Sequence, residues 1–221
     1  MGWRSLILLF LYLSSSLIST IILASQSLTL QEGIDSYPLG LHLEILEDKE
    51  KQWTFEDVTS TTLADQFEPS EQAIPHYGFT RSAYWVRLKL RNQTHGSREW
   101  RLVLDYTNFH YVDAWLPRDG GYTHIQTGNR RPFATRDVEN HHFVFRVDMK
   151  PSGEEKILYL RFESESAMIL KLTLWSLEAY AKQVGTEQFW LGLFYGSLLI
   201  MLGYNSFLSM SIIEKSHIYY V

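Results

Sequence analysis

Two long stretches without a charged residue, one near each end of the chain, constrain this sequence more than anything between them. The first runs from Ser5 to Gln31 and the second from Gln188 to Ile213. The mean hydropathy of −0.15 belongs to a soluble protein, but it averages these two blocks against a polar middle. In the first block Arg4 precedes the aliphatic runs Leu6–Leu13 and Leu17–Leu23, and Ala24-Ser25 supply small residues. That order of positive, apolar and small residues predicts a secretory signal peptide over residues 1–25. The run is also long enough to stay as an uncleaved anchor. Either way the segment that follows is exported.

The core of the second block, Phe189–Met210, would be about 33 Å long as a helix at about 1.5 Å per residue. A hydrocarbon layer is about 30 Å thick, so residues 189–210 are expected to span a bilayer, a first partner for the chain. Trp190 and Tyr195 lie near the outer end, where amphipathic rings favour the interface. Gly192 and Gly196 form a small-xxx-small pair that admits another transmembrane helix, and Asn205 is a polar group that such a neighbour would satisfy. Residues 181–188 read as a juxtamembrane connector. After Glu214 and Lys215, residues 216–221 turn apolar again, like the start of a truncated second membrane helix. The chain therefore reads as a fragment of a larger membrane protein.

The middle, residues 27–180, alternates with a period of two at short intervals. Along Tyr84–Leu90, residues Tyr84, Val86, Leu88 and Leu90 face one way, and Trp85, Arg87 and Lys89 the other. Leu41–Leu46, Trp100–Tyr106, Tyr111–Leu116, Phe143–Met149, Ile157–Phe162 and Met168–Trp175 continue the series. Asn92–Ser97, Pro117–Gly121, Gly128–Pro132 and Pro151–Gly153 supply turns between them. Thr54–Val58 opens a short helix, with Thr54 as cap and Asp57 three residues on. Seven or eight strands without a long amphipathic helix predict an all-β sandwich or jelly roll.

Composition narrows the chemistry. With 20 basic against 25 acidic residues, a net charge of −5 excludes a nucleic-acid partner held mainly through phosphates. The absence of cysteine excludes disulfides, thiolate metal sites and cysteine nucleophiles. No cofactor-binding motif, nucleophile elbow or phosphate-cradling loop is present, so no enzyme is expected. Glu163 and Glu165 share a strand face, as paired carboxylates of a glycosidase must, but Arg161 is the nearer partner for Glu163. His141 and His142, as neighbours on a strand, would point to opposite faces, so no metal site is expected.

Read in order, several segments carry a resemblance: Trp53-Thr54-Phe55-Glu56-Asp57-Val58, Gly78-Phe79-Thr80-Arg81-Ser82-Ala83-Tyr84-Trp85-Val86-Arg87, Leu104-Asp105-Tyr106, Val112-Asp113-Ala114-Trp115-Leu116, Thr127-Gly128-Asn129-Arg130-Arg131-Pro132-Phe133, Leu158-Tyr159-Leu160-Arg161-Phe162-Glu163-Ser164, and then Phe194-Tyr195-Gly196 with Tyr204-Asn205. The series, covering about Leu41 to Val221, resembles the type 2 extracellular sensory domain of bacterial seven-transmembrane receptors with diverse intracellular signalling modules, joined to the first membrane helix. The resemblance implies a jelly roll similar to carbohydrate-binding modules. It also implies a sensor in the periplasm, tethered to the inner membrane. The cytoplasmic output module of that family has no counterpart in this sequence. An envelope interaction or adhesion module, without signalling, is the alternative.

A carbohydrate needs flat aromatic faces and planar polar groups, and a guanidinium suits an acidic sugar because it grips a carboxylate bidentately. On that basis Trp115, Arg131, Arg136 and His142 are expected to line a ligand face with Arg161 and Glu163. The same residues would otherwise be core (Trp115), turn-fixing charges (Arg131, Arg136) or a cross-strand pair (Arg161).

Overall fold

The computed structural model describes residues 27–95, 98–118, 120–151 and 153–211. The expected signal peptide or anchor (residues 1–25) and the apolar residues 216–221 lie outside them. In chain order the strands are β1 (Leu28–Leu30), β2 (Ser36–Pro38), β3 (Leu43–Asp48), β4 (Glu68–Pro69), β5 (His76–Phe79), β6 (Ala83–Asn92), β7 (Arg98–Leu104), β8 (Tyr111–Arg118), β9 (Gly121–Thr127), β10 (Phe143–Met149), β11 (Glu155–Glu163), β12 (Ala167–Ile169) and β13 (Leu172–Ser176). Between β3 and β4 lie the short helices α1 (Phe55–Thr59) and α2 (Thr61–Ala64), and β13 runs into the long helix α3 (Leu177–Ser211).

The strands form a β-sandwich. Its larger sheet runs β4-β3-β6-β11-β8-β9, with β1 adding to β6 in parallel beyond the reach of β3. The smaller sheet runs β10-β7-β13-β2, and β5 pairs with β12 at the side. The alternation read from the sequence sets the layers. Val86, Leu88, Leu160, Phe162, Val112 and Ala114 point inward from the large sheet. They meet Trp100, Leu102, Leu104, Phe143, Phe145 and Val147 from the small one. Phe109 closes one end against Phe162, with ring centroids 5.2 Å apart. Each of these side chains larger than alanine, taken out of water, contributes about 1.5–3 kcal/mol.

The opposite face of the large sheet is also covered along part of its width. Trp53, Phe55, Val58, Leu63 and Phe67 from the α1–α2 segment pack on Leu46, Trp85 and Tyr159. That segment is set by the capping box at Thr54. The Asp57 amide donates to Thr54 Oγ1 at 3.3 Å, and the Thr54 amide donates to Asp57 Oδ2 at 2.8 Å. A covered outer face explains why Trp85, on the polar side of the alternation, is buried.

The expected strand over Met168–Trp175 is two strands, because β12 leaves to pair with β5 while β13 joins the small sheet. The connector at residues 181–188 is helical and continuous with the apolar span, so α3 runs 35 residues without a break. At its start Ser176 Oγ donates to Asp35 Oδ1 and accepts from the Ala179 amide. From Phe189 onward α3 is apolar on all sides, with Trp190, Leu199, Ile200, Tyr204 and Phe207 exposed. It is long and apolar enough to cross a membrane.

Candidate ligand-binding site

Strand register brings polar and aromatic side chains from distant parts of the sequence into rungs across the outer face of the large sheet. One rung is Trp85–Arg161–Asp113–Gln126, and the next is Glu44–Arg87–Tyr159–Trp115–His124. A third places Glu163 beside Tyr111. The α1–α2 segment covers the second rung: Phe55 stacks on Trp115 with centroids 5.1 Å apart and planes at 6°. His124 stacks on the same indole at 4.3 Å, and Trp85 approaches it at 5.1 Å. Burial lowers the pKa of His124, with Arg131 adding to the effect and Asp113 opposing it. At neutral pH His124 is therefore an uncharged aromatic plate.

Beyond the aromatic rung, charges alternate in a line. Arg131 Nη1 lies 2.6 Å from Asp113 Oδ1, and Arg161 Nη1 lies 3.9 Å from the other oxygen of that carboxylate. Arg161 Nη2 reaches Glu163 Oε2 at 3.2 Å, and Lys51 Nζ reaches Glu163 Oε1 at 2.8 Å. Asp113 is only 6% exposed, so its two arginines are what make its ionised form tolerable there. Burial pushes the Glu163 carboxyl up, but Lys51 and Arg161 outweigh it and hold the pKa below the usual carboxylate range.

Local backbone geometry aims both ends of this line. Gly128 has φ +140°, and a Cβ there would lie 2.1 Å from the His110 carbonyl oxygen. Only glycine allows the chain after β9 to press so closely against the start of β8. The turn then sends Arg131 back, where Nη1 also donates to the carbonyls of Thr127 (3.0 Å) and Val112 (3.3 Å). Its guanidinium sits 5.2 Å above the Tyr111 ring. At the other end Lys51 is the one non-glycine residue with positive φ (57°) among the described residues. The buried Asp48 carboxylate pins its loop, accepting from the Gln52 amide at 3.3 Å and the Trp53 amide at 3.1 Å. A side chain held in the left-handed region costs about 1 kcal/mol, and such positions gather at functional sites.

Lys51 opens onto a cavity of about 520 Å³ lined with Phe79, Thr80, Arg81 and Glu165. Phe79 is 85% exposed there. Glu165 pairs with Arg130 at 3.1 Å, and Arg81 has no ion pair among the described residues.

Of the six expected ligand residues, Trp115, Arg131, Arg161 and Glu163 share this face. The other two do not. Arg136 donates from Nη1 to the carbonyls of Asn140, His141 (2.8 Å) and His142 (3.1 Å), and lies over the rings of Phe133 and Phe143. It clamps a loop. His142 lines a second cavity, of about 560 Å³, between the small sheet and α3. Trp115 is sandwiched by protein rings and offers no free face of the kind a sugar needs. Glu163 and Glu165 each hold a cation rather than forming a carboxylate pair. His141 and His142 precede β10 in a bend and are not on a strand, so their rings lie side by side, with centroids 3.9 Å apart.

Sequence reasoning missed Asp113, Lys51, Phe79 and Arg81. Asp113 was within reach, since it alternates with Tyr111 and Trp115 on one strand face. Lys51, Phe79 and Arg81 come from loops and a short strand whose convergence depends on tertiary structure.

No curated protein matches the chain. Residues 40–176, well over half of it, match the family described as 7TMR-DISM extracellular 2. That span holds the sandwich from before β3 to the end of β13, and the helix long and apolar enough to cross a membrane follows it directly, so the chain belongs to the 7TMR-DISM extracellular 2 family, the extracellular sensory domains of seven-transmembrane receptors.

Proposed function

We propose that the chain is the ligand-sensing part of a bacterial receptor, held by α3 in the inner membrane with the sandwich in the periplasm. Its ligand is a small carbohydrate carrying a carboxylate, bound in the cavity at Lys51. The observation that carries this reading is the exposed Phe79 ring beside the Arg81 guanidinium, which has no ion pair among the described residues. An aromatic plate suits the apolar face of a sugar, and a guanidinium fork suits a carboxylate. Lys51 and Thr80 supply donors for hydroxyls at the same rim. The alternating line behind Lys51 is already neutralised pair by pair, so it fixes the rim before any ligand arrives. The carboxylates of the site are all occupied with cations, which favours binding over catalysis. A displaced Lys51 loop would be felt at Glu163 and along β11, and Gly192 and Gly196 on α3 give the signal a face against other membrane helices.

Calorimetry of the nanodisc-embedded chain against uronate-containing and neutral oligosaccharides tests the reading. Uronate oligosaccharides should bind roughly tenfold tighter, a difference of about 1.4 kcal/mol, and Arg81→Ala should erase the preference. Equal binding of both classes, or a preference unaffected by Arg81→Ala, would refute it.

A further inference from the structure

His142 and Glu187 line the cavity between the small sheet and α3, and the exposed His141 lies at its edge; the sugar site uses none of them. His141, His142 and Glu187 each offer one ligand atom, and these atoms lie within 4.8 Å of one another. We infer that these three residues form a zinc-class divalent cation site that ties the sandwich to the membrane helix.

Two imidazole nitrogens and one carboxylate oxygen are a donor set zinc accepts, with the fourth position left to water. At about 2.1 Å from the ion, tetrahedral donors sit about 3.4 Å apart, so small side-chain rotations close the site. The surroundings already orient the ligands. His142 Nδ1 lies 3.0 Å from the Asp105 carbonyl oxygen. A carbonyl only accepts, so Nδ1 carries the proton and Nε2 keeps its lone pair for a metal. A backbone carbonyl behind the far nitrogen is the usual support of a ligating histidine. Asp105 is itself fixed, its amide donating to the Lys171 carbonyl at 3.1 Å and its carboxylate pairing with Lys171 Nζ at 2.9 Å. The Arg136 clamp holds the carbonyls of residues 140–142, and Asn140 Nδ2 donates to the Tyr180 hydroxyl on α3 at 2.9 Å. The histidine loop therefore faces α3 before any ion binds.

The position gives the ion a consequence. Glu187 is the last charged residue before the uncharged span begins at Gln188. An ion held there joins the loop before β10 to the helix at the membrane surface, on the route a signal from the sandwich takes.

Cobalt(II) titration of the full chain in nanodiscs, followed by visible absorption and reversed by zinc, tests the site. The expected result is one cobalt per chain with tetrahedral-type bands, displaced by zinc. Glu187→Gln, which keeps the size and shape of a half-buried helix side chain, and His142→Ala should each weaken binding at least about tenfold. His76→Ala should leave it unchanged. No cobalt bands, or binding that Glu187→Gln and His142→Ala leave intact, would overturn the inference. Neither outcome touches the sugar site, which shares no residue with this one.

Discussion

Replacing Gly128 by alanine separates two effects that are usually confounded. The new Cβ would lie 2.1 Å from the His110 carbonyl oxygen, 2.7 Å from its carbon and 2.8 Å from Tyr111 Cα, all backbone atoms. Ordinary contact begins at 3.4 Å, so the start of β8 and the 128–131 turn must separate. That movement breaks the backbone bonds from Asn129 to Phe109 (2.9 Å) and from Arg130 to His110 (3.2 Å), and pulls Arg131 off Asp113. Two hydrogen bonds at about 1 kcal/mol each and a strained φ at about 1–3 kcal/mol give a loss of about 3–5 kcal/mol. Gly33 is the control: its φ is +79°, but nothing lies within 4 Å of its would-be Cβ. Gly33→Ala should cost about 1 kcal/mol, from backbone strain alone. Thermal unfolding of the full chain in detergent, followed by near-ultraviolet circular dichroism, reads the difference. At about 2–4 °C per kcal/mol, Gly128→Ala should lower the midpoint by about 10 °C and Gly33→Ala by about 3 °C. Equal shifts would show that the close approach of the turn to β8 does not constrain the site.

Two further expectations follow from the charges. Glu44 is 4% exposed and holds both Arg87 and Lys89, the latter at 2.7 Å. Glu44→Ala leaves two cations facing each other and should cost about 3 kcal/mol in denaturant unfolding, whereas a loss below about 1 kcal/mol would mean that the cations reach water instead. The folded-state pKa of Glu163 lies below its usual value because Lys51 and Arg161 outweigh burial. Its contribution to stability is therefore present above the unfolded pKa of about 4.3 and is lost as pH falls through the folded value. Stability measured from pH 6 down to pH 3 should fall less steeply in Lys51→Ala than in the parent chain, and parallel curves would contradict the assignment.

Much of the sandwich was legible because burial and period two reinforce each other. Tyr84–Leu90, Tyr111–Leu116, Phe143–Met149 and Ile157–Phe162 each present aliphatic or aromatic residues at alternate positions, and each is a strand facing the core. β9 was hidden because most of it is exposed on both faces at the sheet edge, so Tyr122-Thr123-His124-Ile125 carries little alternating signal. β5 was hidden, and with it the break between β12 and β13, because β5 and β12 pair with each other outside the two main sheets. The helix cap at Thr54 was readable since a capping box is local. The site was readable only in part. Arg131, Arg161, Trp115 and Glu163 lie on or beside β8 and β11, whose shared face follows from alternation. Arg136 and His142 are near Arg131 in sequence, but the chain turns between them to the other sheet. The pairing of His141 with His142 is not legible because the sequence continues the strand pattern of β10 back through them, where the chain instead bends.

Cysteine is absent from the chain, so one introduced cysteine reports its own position without background. Phe79→Cys places a thiol on the exposed rim of the cavity at Lys51, in the domain that we propose lies outside the membrane. A membrane-impermeant maleimide applied to intact spheroplasts is predicted to label it fully, with no further labelling after lysis. A thiol that reacts only once the cells are broken would put the cavity on the cytosolic side, and no extracellular ligand could then reach it.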